Sequence, residues 1–86
     1  MKYIYLTRTD RYADEQGVPY TVYGIDVWRL PDRDARLHRS FPGLFFTRQS
    51  AEDLAKTLTD TDPPLEAIPE LIRQAREREA GFRLSP

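Results

Sequence analysis

The chain contains no cysteine. That one absence removes disulfide staples, thiol nucleophiles and thiolate metal sites together, and it fits a reducing compartment. Histidine and tryptophan occur once each, as His38 and Trp28. The four glycines are scattered, so no glycine-rich loop could cradle a phosphate. Long apolar runs are missing too: nothing approaches the ~20 residues of a membrane span. The opening segment Met1-Lys2-Tyr3-Ile4-Tyr5-Leu6-Thr7-Arg8 lacks the long apolar core of a signal peptide. A cytoplasmic location with no membrane partner is the expectation. Excess charge is also lacking, since the net charge is −1, which gives no bulk attraction to nucleic acid or acidic lipid.

What remains is a chain of 86 residues, a length that suits one small domain with a thin core. We expect that domain to span residues 1–81, with 82–86 as a frayed tail. Arginine outnumbers lysine eleven to two. Residues 1–48 carry eight basic against six acidic side chains, and residues 49–86 five against eight. No internal repeat or low-complexity tract is visible.

The richest segment is Tyr20-Thr21-Val22-Tyr23-Gly24-Ile25-Asp26-Val27-Trp28-Arg29-Leu30, a β-strand apolar on both faces. Strand alternation puts Tyr23, Ile25 and Val27 on one side and Tyr20, Val22, Gly24, Asp26 and Trp28 on the other. The first set is uniformly apolar and is the expected core face. Asp26 suits the outer face, because a buried carboxylate needs a partner. An earlier strand spans Lys2 to Thr9, and in it Ile4 and Leu6 should join the core and leave Tyr3 and Tyr5 outside. Asp10 to Pro19 is polar, holds Gly17 and Pro19, and predicts a loop or a wide hairpin connection. Pro31 to Ala35 predicts a turn. A third strand, about Arg36 to Phe46, is interrupted by Pro42-Gly43, which predicts an edge strand or a bulge.

The period then changes. Ser50 is a candidate N-cap with Asp53 three residues on, and Ala51, Leu54, Ala55 and Leu58 form one helical stripe. Thr59 to Pro64 stops that helix. Leu65, Ile68, Leu71, Ile72 and Ala75 form a second stripe, with Pro69 required in the first turn and Gly81 as the C-terminal stop. Glu66, Glu70, Glu77 and Glu79, with Arg73, Arg76 and Arg78, are expected on a solvated face. The order β-β-β-α-α predicts an α+β fold, a three-stranded antiparallel sheet with two short helices on one face.

Thr21-Val22-Tyr23-Gly24-Ile25, Phe41-Pro42-Gly43-Leu44, a capped helix and Leu65-x-x-Ile68-x-x-Leu71-Ile72 together resemble a small bacterial domain-of-unknown-function family that carries a Tyr-Gly-Ile strand and a closing helix. The resemblance covers roughly residues 20–76. It implies the same element order and no activity, and it carries no functional residue over. The loop between strands two and three is more arginine-rich here than the family pattern.

Catalytic chemistry finds little footing. His38 shares a strand face with Ser40 if the strand is regular, but nothing else places a triad or metal site around it. Asp60-Thr61-Asp62 lacks the glycine and terminal glutamate of a calcium loop. No enzyme activity, metal or cofactor is expected.

The outer face of the sheet is the candidate site. Exposed contiguous apolar surface marks interaction sites, and aromatics and arginine dominate hot spots. The expected partner-binding residues are Tyr3, Tyr5, Tyr20, Val22 and Trp28, with Arg29 and Arg39 stacked beside them. The reading is a non-catalytic module that binds a protein partner or forms a homodimer. An inhibitor of a host protein, encoded by a phage or mobile element, is one variant of it. The alternative is single-stranded nucleic-acid binding, with bases on Tyr and Trp and phosphates on Arg8, Arg11, Arg29, Arg33, Arg36 and Arg39. The interleaved Asp10, Asp14, Glu15, Asp26, Asp32 and Asp34 weigh against it.

Overall fold

β-forming side chains fill the first half of the chain and build one long hairpin. Our structure, a computed structural model, describes residues 2–30 and 36–84. Strand β1 (Lys2–Ala13) pairs antiparallel with β2 (Pro19–Leu30), in register from Lys2 opposite Leu30 to Ala13 opposite Pro19. Of the two expectations for Asp10 to Pro19, the hairpin connection is the one observed: the strands run on past Thr9, and only residues 14–18 lie between them. Asp14 closes it: its carboxylate accepts the Gln16 and Val18 amides at 2.8 and 2.9 Å, and Gly17 supplies the positive φ of +79° that the turn requires. The expected turn over Pro31 to Ala35 lies outside the described residues.

Strand β3 (Arg36–Phe45) pairs antiparallel with β2, so the sheet order is β1-β2-β3. As Pro42-Gly43 predicted, β3 is irregular. Tyr23 pairs with Phe45 and Ile25 with Phe41, so Pro42, Gly43 and Leu44 all oppose Gly24. This bulge folds against Gly24, where a Cβ would meet the Phe41 carbonyl oxygen at 2.2 Å. A second irregularity falls at His38, because Val27 pairs with Arg39 but Trp28 with Leu37.

Helix α1 (Arg48–Thr61) follows, then a 3₁₀ turn (Leu65–Ala67) and α2 (Ile68–Leu84). Pro69 lies in the first turn of α2, as expected. Two helix boundaries differ from expectation. Thr47, not Ser50, is the N-cap of α1, and its hydroxyl accepts the Ser50 amide at 3.2 Å. Helix α2 continues through Gly81 to Leu84, so residues 82–84 extend the helix, while 85–86 lie outside the described residues.

Both helices cover the same face of the sheet. The core joins Tyr5, Ile25, Val27 and Phe45 of the strands to Ala51, Leu54, Ala55 and Leu58 of α1 and to Ile68, Ile72 and Ala75 of α2, with Tyr3, Tyr23, Phe41, Leu44, Leu65 and Leu71 at its margin. The α+β fold is therefore the one the element order predicted. The core face of β2 is also as expected.

The core face of β1 is reversed. Tyr5 is only 5% exposed, whereas Leu6 is 51% exposed on the other side. The register requires this, since Tyr5 pairs with Val27 and Thr7 with Ile25, and paired residues share a face. The opposite set on β1 runs Ile4, Leu6, Arg8, Asp10 and Tyr12. Turned toward the helices, it would have set Arg8 and Asp10 against the apolar core, away from the Asp26 carboxylate and the Gly43 amide that satisfy them.

Glu79 corrects a further expectation. It occupies the apolar stripe of α2, four residues after Ala75, and is only 8% exposed. Its carboxylate accepts the Phe46 amide at 2.9 Å, the Thr47 amide at 3.3 Å and the Thr47 hydroxyl at 3.2 Å. Glu79 therefore satisfies donors at the start of α1 and pins α2 to the β3–α1 junction. Burial alone would push its carboxyl up, but these hydrogen bonds and one from Ser50 outweigh it and hold the value below the ordinary one.

Candidate interaction surface

The sheet has helices on one face, and the other face carries the candidate site. Along β2, Tyr20, Val22, Gly24, Asp26 and Trp28 point there, as the alternation predicted. Their β1 partners are Tyr12, Asp10, Arg8, Leu6 and Ile4, and β3 adds Leu37 opposite Trp28 and Ser40 opposite Asp26.

Three zones follow along this face. At one end Ile4, Leu6, Trp28 and Leu37 are neighbours on adjacent strands. Leu6 and Leu37 are each 51% exposed, and Ile4 and Trp28 are half-buried. In the middle lies a polar network. Arg8 Nε donates to Asp10 Oδ1 at 2.9 Å and Arg8 Nη1 to Asp26 Oδ1 at 3.1 Å. The Ser40 hydroxyl donates to Asp26 Oδ1 at 2.8 Å, and the Gly43 amide donates to Asp10 Oδ2 at 3.0 Å. The Asp10 hydrogen bond, then that of Asp26, raises the Arg8 guanidinium above its ordinary value against some opposing burial. This network fixes the bulge of β3 to β1 and holds Arg8 between two carboxylates. At the far end the rings of Tyr12 and Tyr20 meet edge-on, with centroids 6.0 Å apart. Tyr12 also lies over Gly43, where a Cβ would come within 2.7 Å of its hydroxyl.

The partner-binding residues expected from the sequence therefore separate into groups. Trp28 and Tyr20 are on the open face, but eight residues of extended strand, about 26 Å, lie between them. Val22 is on that face as well, yet only 4% exposed, so it supports the bulge region rather than offering contact area. Tyr3 and Tyr5 belong to the helix-covered side, and Tyr5 is a core residue. Burial, then the nearby Asp62 carboxylate, pushes its phenol above the ordinary value. Arg29 pairs with Tyr3 and Arg39 with Val27, which places both on the helix side. The Arg39 guanidinium lies 4.8 Å from the Phe41 ring centre, and Arg48 covers Tyr23 at 5.7 Å. The missed members of the open patch are Ile4, Leu6 and Leu37.

The bulge at His38 also separates it from Ser40. His38 meets the Tyr3 ring at 5.4 Å between centroids, whereas Ser40 bonds to Asp26 on the open face. They do not share a face. Among the described residues no group of three or more histidine, cysteine, aspartate or glutamate side chains could hold a metal ion. No helix among them is long and apolar enough to cross a membrane.

A groove of about 670 Å³ runs between the end of β3 and α2, lined by Leu44, Phe46, Ile72, Arg76, Glu79 and Ala80 among others. The Glu79 carboxylate that borders it is committed to the start of α1. The groove is otherwise mainly apolar, with Arg73, Arg76 and Glu77 among its lining residues.

No family model, no curated protein and no solved structure matches the chain. The class that its fold defines is a small α+β domain with an open-faced sheet, and the reading of its site rests on the geometry above.

Proposed function

We propose that this protein is a non-catalytic interaction module that binds a protein partner through the uncovered face of its sheet. One observation carries the reading: Leu6 and Leu37, each 51% exposed, flank Trp28 on a face that no helix among the described residues covers. Apolar side chains held on a flat, hydrogen-bonded sheet lose little entropy on binding. A tryptophan among leucines, bordered by a polar network, has the apolar centre and polar rim of an interface.

The polar network contributes specificity. Arg8, Asp10, Asp26 and Ser40 are fixed to one another, so a partner must offer groups that complement a preset arrangement. Single-stranded nucleic acid fits this face less well, because Arg8 is already held by two carboxylates and Arg29 and Arg39 lie on the helix side.

The test is paired affinity capture from an extract of the source cells, with the wild type and Trp28→Arg as baits and circular dichroism confirming that both are folded. Proteins enriched by the wild type and lost with Trp28→Arg are the expected result. Identical captured sets, or no enrichment by the wild type, would overturn the proposal.

A further inference from the structure

The two edges of the sheet differ. The β3 edge carries the devices that block strand addition: a proline, a wide bulge at residues 42–44 and a second irregularity at His38. The β1 edge carries none of them. Lys2–Ala13 contains neither proline nor glycine, pairs with β2 without a register shift, and has no strand along its other side among the described residues. A long, regular edge free of proline and bulges is a template for another strand, and its charges then decide which strand can pair.

The side chains of β1 indicate which strand. In an antiparallel pair related by a two-fold axis normal to the sheet, each residue faces one at the same distance on the other side of the axis, and faces are preserved. An axis at Arg8, Asp10 or Arg11 sets like charges directly opposite, which is unfavourable. An axis at Leu6 sets Arg8 against Ile4, and one at Thr7 sets Arg8 against Leu6 and Asp10 against Ile4. An axis at Thr9 sets Arg8 against Asp10 twice and Leu6 against Tyr12 twice, so charge meets opposite charge and exposed apolar surface meets exposed apolar surface. On the helix side the same register gives Thr9 against Thr9 and Thr7 against Arg11, with no like-charge pair.

From this complementarity we propose that the occupant of the β1 edge is a second copy of this chain. It pairs antiparallel about Thr9 and joins two three-stranded sheets into one six-stranded sheet. Arg8 keeps its own Asp10 and Asp26, and because Asp10 is only 8% exposed with both oxygens already accepting, the register is favoured by opposite charges lying side by side across the seam rather than by a new hydrogen bond. The two open faces then form one continuous platform, with a Trp28 cluster toward each outer end. This inference concerns the edge rather than the face, so either proposal can fail without the other.

Thr9 is the test position, because only a residue on the axis faces itself. It is exposed and is not a core residue. Light scattering after gel filtration should give twice the 10.1 kDa chain mass for the native protein. Thr9→Lys and Thr9→Glu, each shown to be folded by circular dichroism, should each fall to the single-chain mass, and an equimolar mixture of the two should return to the doubled mass. Trp28→Arg should keep the doubled mass. A native protein that stays monomeric at every concentration would overturn the inference. So would Thr9 variants that remain dimeric, a mixture that stays monomeric, or dissociation by Trp28→Arg alone.

Discussion

Gly24→Ala tests the link between the bulge and the open face. The added methyl would sit 2.2 Å from the Phe41 carbonyl oxygen and 3.0 Å from Pro42 Cα. Both are backbone atoms, so no side-chain rotation relieves the clash, and the bulge of β3 must lift. Overpacking of this kind costs about 1–3 kcal/mol. A lifted bulge also stretches the Gly43 hydrogen bond to the Asp10 carboxylate, now 3.0 Å, and a bond to a charged group contributes about 1.5–3 kcal/mol. Taking the lower half of each range gives a loss of about 3 kcal/mol. In a domain of this size that corresponds to a fall in Tm of roughly 12–24 °C. Urea and thermal unfolding followed by circular dichroism would measure it. Gly17→Ala is the control: its φ is +79° but nothing lies within 4 Å of the new methyl, so it should lose only about 1 kcal/mol. A Gly24→Ala protein no less stable than Gly17→Ala would refute the close approach of the bulge.

Two further perturbations address the core and the helix junction. The Tyr5 hydroxyl is buried with no hydrogen-bond partner among the described residues, and an unpaired buried hydroxyl is costly, so Tyr5→Phe should equal wild-type stability or exceed it by about 1 kcal/mol. A loss of that size on urea unfolding would mean that the hydroxyl is hydrogen-bonded. Glu79→Gln should lower stability at neutral pH by roughly 2 kcal/mol, because the charged acceptor of the Phe46 and Thr47 hydrogen bonds is replaced by a neutral one. The folded-state carboxyl value lies below the ordinary 4.5. The Glu79 contribution is therefore fully present above that ordinary value and is lost as the pH falls through the depressed one. The gap between wild type and Glu79→Gln should narrow on acidification over that window, and a gap constant with pH would contradict the role given to the carboxylate.

Much of the architecture was legible because local signals and burial agreed. Tyr23, Ile25 and Val27 alternate without interruption, Pro42-Gly43 announces a break in a strand, and Pro69 fixes the start of a helix. Where they conflicted, the longer pattern decided. Ile4 and Leu6 are more apolar than Tyr3 and Tyr5, but the strand runs on to Ala13, and Arg8 and Asp10 share their parity. Burying the tyrosines, whose rings supply the larger apolar area, costs less than setting an arginine and an aspartate against apolar helices without the partners they find on the other face. Ser50 and Thr47 are both competent caps, and what separates them is where the helix starts: Thr47 is extended and accepts the Ser50 amide, so Ser50 lies inside the first turn. Helical spacing puts Glu79 on the apolar stripe, four residues after Ala75, but nothing local shows that its partners are the amides of residues 46 and 47. The open patch was half legible: Trp28 was placed correctly, but Leu6 followed the wrong parity and Leu37 depended on the bulge at His38.

The central claim, that the face bearing Trp28 is the contact surface, is tested most directly by the fluorescence of that one tryptophan. Its emission and its quenching by acrylamide would be recorded for the protein alone and after adding a purified captured partner. The account predicts a half-exposed, readily quenched indole that shifts to shorter wavelength and becomes protected on binding. A saturating partner that leaves both emission and quenching unchanged would place the contact elsewhere and contradict it.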